Sequence, residues 1–327
     1  MPLPQAFLEL SQQIGANPLL VQAAGGNTSI KTGDNEMWIK ASGTELAQAL
    51  EKDIFVAVDR DKALHEIDHG PGDCKGTLID PSCGLRPSIE TTFHALFDAT
   101  YVFHYHSVGV ICHAIAEQGK ALLDDKLQGM NWAWVPYCKP GVPLTRAIRN
   151  AIADKPADVI VLANHGVIIT GEDLDAIASK IEDVEKRLHL PLRCDTSEAP
   201  TEQIDDTWVY LPKYKALAID EKLLARAKSG TYYPDHVVFL GPGLPAVSPD
   251  SFPAKVADLP VPAVIVEGRG VYMKCNATPA HHAMLQCILD VLGRVAEDWT
   301  LVPIGEDAEA ELLNWDAEKY RQALAKK

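Results

Sequence analysis

Through the first two hundred residues, short runs of β-branched and aromatic residues alternate with stretches whose apolar positions recur every three or four. VFHYH (102–106), WVPY (134–137), VIVLA (159–163) and VIIT (167–170) predict strands. Leu174, Ile177, Ile181, Val184 and Leu188 fall on one face of a predicted helix. That alternation means a layered α/β domain. Glycine and asparagine punctuate it at AAGGNTS, KTGDN, ASGT, HGPGD, KPGVP and ANHGV, marking tight turns or close backbone approach.

The periodicity lapses in PLRCDTSEAPTEQIDD, roughly residues 191–206, a polar and proline-bearing stretch that reads as a linker. It divides the chain into a first domain over residues 1–195 and a smaller C-terminal α+β domain over 206–327. Within the latter, VPAVIVEGRGVYMKCNATPAHHAMLQCILDVLGRV follows the order strand, turn, strand, helix already seen in PADVIVLANHGVIITGEDLDAIASKIEDVEKRL. Set with Gly166 over Gly270, the second segment reads as a degenerate echo in which Arg269 stands where His165 does.

One strand carries unusual chemistry. Side chains at i and i+2 of a strand share a face, so His104 and His106 can aim two imidazole nitrogens at one point while Tyr105 faces away. Buried imidazoles need partners, and a divalent metal ion is one of them. His165, at the end of the VIVLA run and before a turn-permitting glycine, is the third candidate ligand; His94, His113 and His189 are weaker ones. Trp208, Tyr232, Tyr233 and His236 can border a pocket, with core packing the better reading; His281 and His282 begin a helix and are expected to face solvent.

Composition narrows the partners. At 327 residues the chain can fill more than one core, and 47% hydrophobic with 23% charged residues is a globular composition. A formal charge of −15 argues against nucleic acid or an anionic membrane as partner, because both call for clustered Lys and Arg. No stretch is long and apolar enough to span a bilayer and the N-terminus lacks a signal-peptide pattern, so a cytoplasmic location is expected. Seven scattered cysteines without CxxC spacing suggest neither a disulfide framework nor a zinc ribbon, and read as small buried hydrophobes in a reducing compartment.

GGNTS (25–29), KASGT (40–44), PSIETTFH (87–94), HYH (104–106) and NHG (164–166) occur in the order and at roughly the spacing of the class II aldolase/adducin family, which the chain resembles over about residues 5–190. MWIKASGT and the C-terminal extension look most like the rhamnulose-1-phosphate aldolase branch, although the GxGxxG fingerprint of its fused dehydrogenase is missing. The resemblance implies a three-layer α/β/α domain with a central mixed or antiparallel sheet. It implies a zinc site, or one for another divalent metal, built from His104, His106 and His165, with Glu90 as catalytic acid/base and its pKa raised by partial burial. It implies a phosphate site made from Gly26, Asn27 and Thr28, Ser42 and Gly43, and Ser88. There the chain departs from the family: two adjacent serines are usual, and here Ile89 follows Ser88, so one hydroxyl is lost and Lys40 or Arg86 is left to compensate.

The activity so implied is cleavage of a ketose phosphate or related sugar-acid by a metal-dependent lyase through a metal-stabilised enediolate, in a homo-oligomer, tetramer or dimer. Decarboxylation, dehydration and 4-epimerisation of a sugar phosphate share the scaffold. Epimerases of the family typically carry Asp where Glu90 stands, which disfavours that one. A non-catalytic adducin-like interaction module would lack the metal histidines, and all three are present.

Overall fold

The computed structural model describes residues 3–253, 256 and 259–324. Seven strands form the first sheet: β1 (Asn27–Lys31), β2 (Glu36–Lys40), β3 (Phe55–Asp59), β4 (Tyr101–Tyr105), β5 (Trp132–Val135), β6 (Val159–Leu162) and β7 (Gly166–Gly171). Their spatial order is β3-β2-β1-β4-β7-β6-β5, antiparallel throughout except for the parallel β5/β6 pair. The helices are α1 (Gln5–Gly15), α2 (Arg60–His69), α3 (Thr91–Leu96), α4 (Val108–Ala114), α5 (Gly119–Lys126), α6 (Val142–Ala151) and α7 (Leu174–Leu188).

Strand alternation sorts these helices into two layers. Phe103, Tyr105, Val159, Val161, Val167 and Ile169 pack with residues of α1, α4, α5 and α7 on one face of the sheet. Val102, Ile160, Leu162 and Ile168 pack with Phe93, Leu144 and Ile148 of α3 and α6 on the other. The result is a three-layer α/β/α domain around a mixed sheet. The buried face of α7, Ile177, Ile181, Val184 and Leu188, contributes roughly 1.5–3 kcal/mol per side chain, against about 1 kcal/mol for the Asp173 cap on the Ala176 N–H, so packing rather than capping holds it.

A second sheet follows, from β8 (Glu202–Gln203), β9 (Trp208–Leu211), β10 (Ala246–Val247), β11 (Ala263–Val266) and β12 (Gly270–Lys274), in the order β10-β11-β12-β9-β8. With it go α8 (Ala216–Ile219), α9 (Glu221–Lys228), α10 (Pro234–Leu240), α11 (Pro279–Leu292), α12 (Glu306–Leu313) and α13 (Asp316–Leu324). Tyr232, Tyr233 and the residues of α10 join its helical core, and Trp208 lies buried on the opposite face of the sheet. The hairpins β6/β7 and β11/β12 close in the same register, Leu162 on Gly166 and Val266 on Gly270, with Asn164 and Gly268 both at positive φ.

The two sheets share a core. Val108, Ile111, Cys112 and Ile115, in and just after α4, lie in the same hydrophobic cluster as the buried face of α11, while Val110 and Ala114 of the same helix face the first sheet. Asn164 adds polar ties, its side-chain amide donating to the carbonyls of Tyr232 (3.0 Å) and Val302 (2.8 Å). None of the seven cysteines is paired; Cys74, Cys112 and Cys287 are buried, but Cys83 and Cys275 are exposed rather than core hydrophobes. No helix among the described residues is long and apolar enough to cross a membrane.

One buried acid gives a stability prediction. Burial raises the Glu185 carboxyl to about 7, against the pull of the Ser107 hydroxyl that donates to it at 2.9 Å. The folded state therefore holds this proton more tightly than the unfolded chain, where an ordinary glutamate titrates near 4.3. The contribution is full below about pH 4 and is lost as pH rises through 7. Glu185→Gln should melt above the unsubstituted protein at pH 8 and lose that advantage at pH 5; parallel melting curves at both values would contradict the assignment.

Candidate metal centre

The site forms where β1, β4 and the β6/β7 turn meet. Asn27 pairs in register with His104, and β7 runs on the other side of β4, with Ile168 opposite His104. Alternation sends Asn27, Ser29 and His104 to the α3 side of the sheet. His106 lies one residue beyond the end of β4, and His165 occupies the β6/β7 turn that Asn164 bends at φ 56°. A Cβ on Gly166 would sit 2.5 Å from the Tyr105 carbonyl, so only glycine lets this turn lie against β4.

The three imidazoles converge. One nitrogen from each of His104, His106 and His165 lies within 4.8 Å of the other two, and all three residues are buried. His104 Nδ1 faces the Val167 carbonyl at 3.0 Å, an acceptor only, so that nitrogen carries the hydrogen and Nε2 keeps its lone pair. His106 Nδ1 faces the Asp235 carboxylate at 3.2 Å, which selects the same tautomer. Their Nε2 atoms then meet at 3.2 Å, lone pair to lone pair, an arrangement that calls for a cation between them. Metal–nitrogen bonds of about 2.1 Å in a tetrahedron place ligand atoms roughly 3.4 Å apart, so the set closes on a metal by small ring movements. Burial lowers His104 to about 4 and His165 to about 3, keeping both neutral, the form that ligates. The cluster can hold a metal ion.

Glu90 stands at the N-terminal cap position of α3, Oε2 at 3.5 Å from His104 Nε2 and Oε1 at 3.5 Å from His165 Nε2. Burial alone would raise its carboxyl; positive charge on the side of His104 and His165, together with the Asn27 amide, reverses that and brings it to about 2. The raised value expected from burial is therefore corrected: charge held at the three-histidine cluster and the Asn27 amide outweigh desolvation and keep Glu90 ionised. Asn27 donates to Glu90 Oε2 at 2.7 Å, while its carbonyl oxygen pairs with His94 Nε2 at 2.5 Å and His94 Nδ1 pairs with Ser29 Oγ at 2.7 Å. His94, a weak ligand candidate in the sequence, instead fixes the amide that fixes Glu90.

Beside the histidines lies a pocket lined by Gly26, Asn27, Lys40, Ser42, Gly43, Ser88, Glu90, His106 and His165. Ser88 Oγ accepts from the Glu90 N–H and the Asn27 amide, which leaves its own proton free to donate. Thr28 is not in this wall. Strand alternation turns it to the opposite face, where its hydroxyl pairs with Ser11 at 2.8 Å. Lys40 is buried in the wall, its ammonium on the carbonyls of Ala24 and Thr44, and burial lowers it to about 7. Arg86 instead stacks on Tyr320 at 4.0 Å.

Sequence reasoning missed the far wall, which comes from the second sheet's helices. Asp235 of α10 and Glu318 and Arg321 of α13 complete the lining. Arg321 reaches Asp235 Oδ1 at 2.9 Å and both Glu318 oxygens at 2.9 and 3.2 Å. No motif marked these residues, because each lies in an ordinary helix that folding alone brings to the site.

Residues 5–192, more than half of the chain, match the model of the class II aldolase and adducin N-terminal domain. The chain belongs to that family. Among curated relatives of this class II aldolase family member, an uncharacterized oxidoreductase, YuxG of Bacillus subtilis, is 31% identical over 196 residues, 54% of this chain and only 28% of that protein's length. The 3-oxo-tetronate 4-phosphate decarboxylase of Haemophilus influenzae is 26% identical over 58% of this chain and 82% of its own. The L-fuculose phosphate aldolase of Methanocaldococcus jannaschii is 26% identical over 53% and 86%. Among solved structures, the N-terminal class II aldolase domain of a Thermoplasma acidophilum protein matches at a TM-score of 0.49 and 24% identity, over 56% of this chain and 90% of that one.

Proposed function

We propose that the chain is a metal-dependent lyase that cleaves an anionic sugar derivative, a ketose phosphate or a related sugar-acid, with His104, His106 and His165 as ligands and Glu90 as acid/base. The observation that carries this reading is the meeting of two imidazole lone pairs at 3.2 Å beside a carboxylate that lies 3.5 Å from two of the three rings. A divalent ion, when bound, supplies Lewis-acid stabilisation of negative charge on a carbonyl oxygen and its neighbour. Zinc suits three imidazoles with an open fourth position.

The chain's own residues do the rest. Asn27 holds Glu90 through Oε2 and leaves Oε1 without a hydrogen-bond partner, so that oxygen is the one placed to take a proton from a substrate hydroxyl and return it to carbon. Lys40, the Ser42 and Ser88 hydroxyls and the separate turns at Gly26 and Gly43 bind the anion, with Lys40 supplying the charge that offsets the missing second serine. The helices of the second sheet wall off water. Thr28 contributes its place in the strand rather than a hydroxyl to the ligand.

Incubation of metal-loaded protein with a panel of ketose 1-phosphates, assayed for dihydroxyacetone phosphate, should give release from at least one; silence across the panel removes the aldolase reading. Similarity to a curated decarboxylase favours a second one, decarboxylation of a 3-oxo sugar-acid phosphate by the same residues. Carbon dioxide release from such an acid, with no triose phosphate, would select it. We also propose a cytoplasmic homo-oligomer, to be checked by light scattering.

A further inference from the structure

The second sheet's contribution to the site has a chemical role of its own. Asp235, at the start of α10, is buried, and its Oδ2 has no well-aligned hydrogen-bond partner among the described residues. That oxygen stands 3.2 Å from His106 Nδ1, on the side of the ring away from His104. Both atoms crowd Gly25: a Cβ there would lie 2.9 Å from each, so the chain leaves out a side chain where carboxylate and imidazole meet. Asp235 Oδ1 is held by Arg321 at 2.9 Å, and Arg321 in turn by Glu318, so the carboxylate has one oxygen anchored and one aimed at the ring.

We infer that Asp235 is the positioning residue of the metal centre, fixing the tautomer and orientation of His106 and raising its basicity as a ligand, with Arg321 limiting how much charge it lends. This rests on the proposed metal-binding reading of the three histidines. A ring nitrogen that donates to a carboxylate leaves the opposite nitrogen a stronger donor, and such outer partners are typically worth 10–100-fold in metal affinity. The first sheet's domain thus brings all three ligands, and the second brings the group that tunes one of them. Arg321 acts with the opposite sign. It draws on the same carboxylate and adds a positive charge near a cation site, so its removal favours the metal.

The test uses full-length protein stripped of metal and titrated with zinc against a chromophoric chelator. Asp235→Asn should still bind one zinc per chain, about 10–100-fold more weakly; Arg321→Met should bind as tightly as the unsubstituted protein or more so. A merely structural role predicts that both variants weaken binding, since both break the same ion pair. Asp235→Asn with affinity within threefold of the unsubstituted protein, or Arg321→Met as impaired as Asp235→Asn, overturns the assignment. Failure of the unsubstituted protein to bind zinc, cobalt or manganese stoichiometrically sinks the three-histidine site itself, and Asp235's role falls with it. Should Asp235→Asn fold poorly, the Arg321→Met result alone decides, because only the tuning role forbids it to lose affinity.

Discussion

On the proposed reading, replacing His165 by alanine should abolish stoichiometric metal binding and, with it, the metal's stabilisation of the fold. The three imidazoles are the only group of three or more metal-ligating side chains found among the described residues, so no second cluster of this kind stands by. Loss of a direct ligand should exceed the 10–100-fold typical of an outer partner, putting the affinity more than 100-fold below that of the unsubstituted protein. A ligand at 100 times its Kd stabilises the native state by about 2.7 kcal/mol, so the unsubstituted protein should melt several degrees higher with zinc than without. His165→Ala should show no such shift at the same zinc concentration. Thermal melts with and without metal check it, and an unchanged shift in the variant would put the ion elsewhere.

Glu90→Gln should keep the metal and lose turnover by roughly 10²–10⁴-fold, the usual worth of a positioned proton carrier. The substitution is nearly isosteric and leaves Asn27 and Ser88 in place, so zinc stoichiometry and melting temperature should hold. What disappears is the charge that takes the proton. Because Asn27 fixes one carboxyl oxygen, the loss should appear in kcat more than in KM. Full activity in this variant would remove Glu90 from the chemistry.

Much of this was legible beforehand, for reasons that differ from residue to residue. His104 and His106 could be paired from spacing alone, because the strand's two-residue period carries over to His106, one residue past its end. His165 followed from a core strand ending in a histidine and a glycine. Strand periodicity also exposes Thr28: Asn27 and Thr28 are adjacent, so only one can face the pocket, and family resemblance names both. His94 was undervalued because helix periodicity says nothing about the strand across from it, where Ser29 and Asn27 wait. Asp235, Glu318 and Arg321 were beyond reach. They lie seventy or more residues beyond the last of the three histidines, and α4's double-faced packing on both sheets is a tertiary fact with no local signature.

The pocket encloses a cavity of about 30 Å³, space for roughly two water molecules and far short of a sugar phosphate. On the proposed reading, a wall of this pocket would have to shift to admit a substrate of that size. In the wall formed by helix α13, Glu318 is the one buried residue among those described, while Leu324 rests over Gly43. On the proposed reading, displacing that helix to admit a ligand would part Arg321 from Asp235.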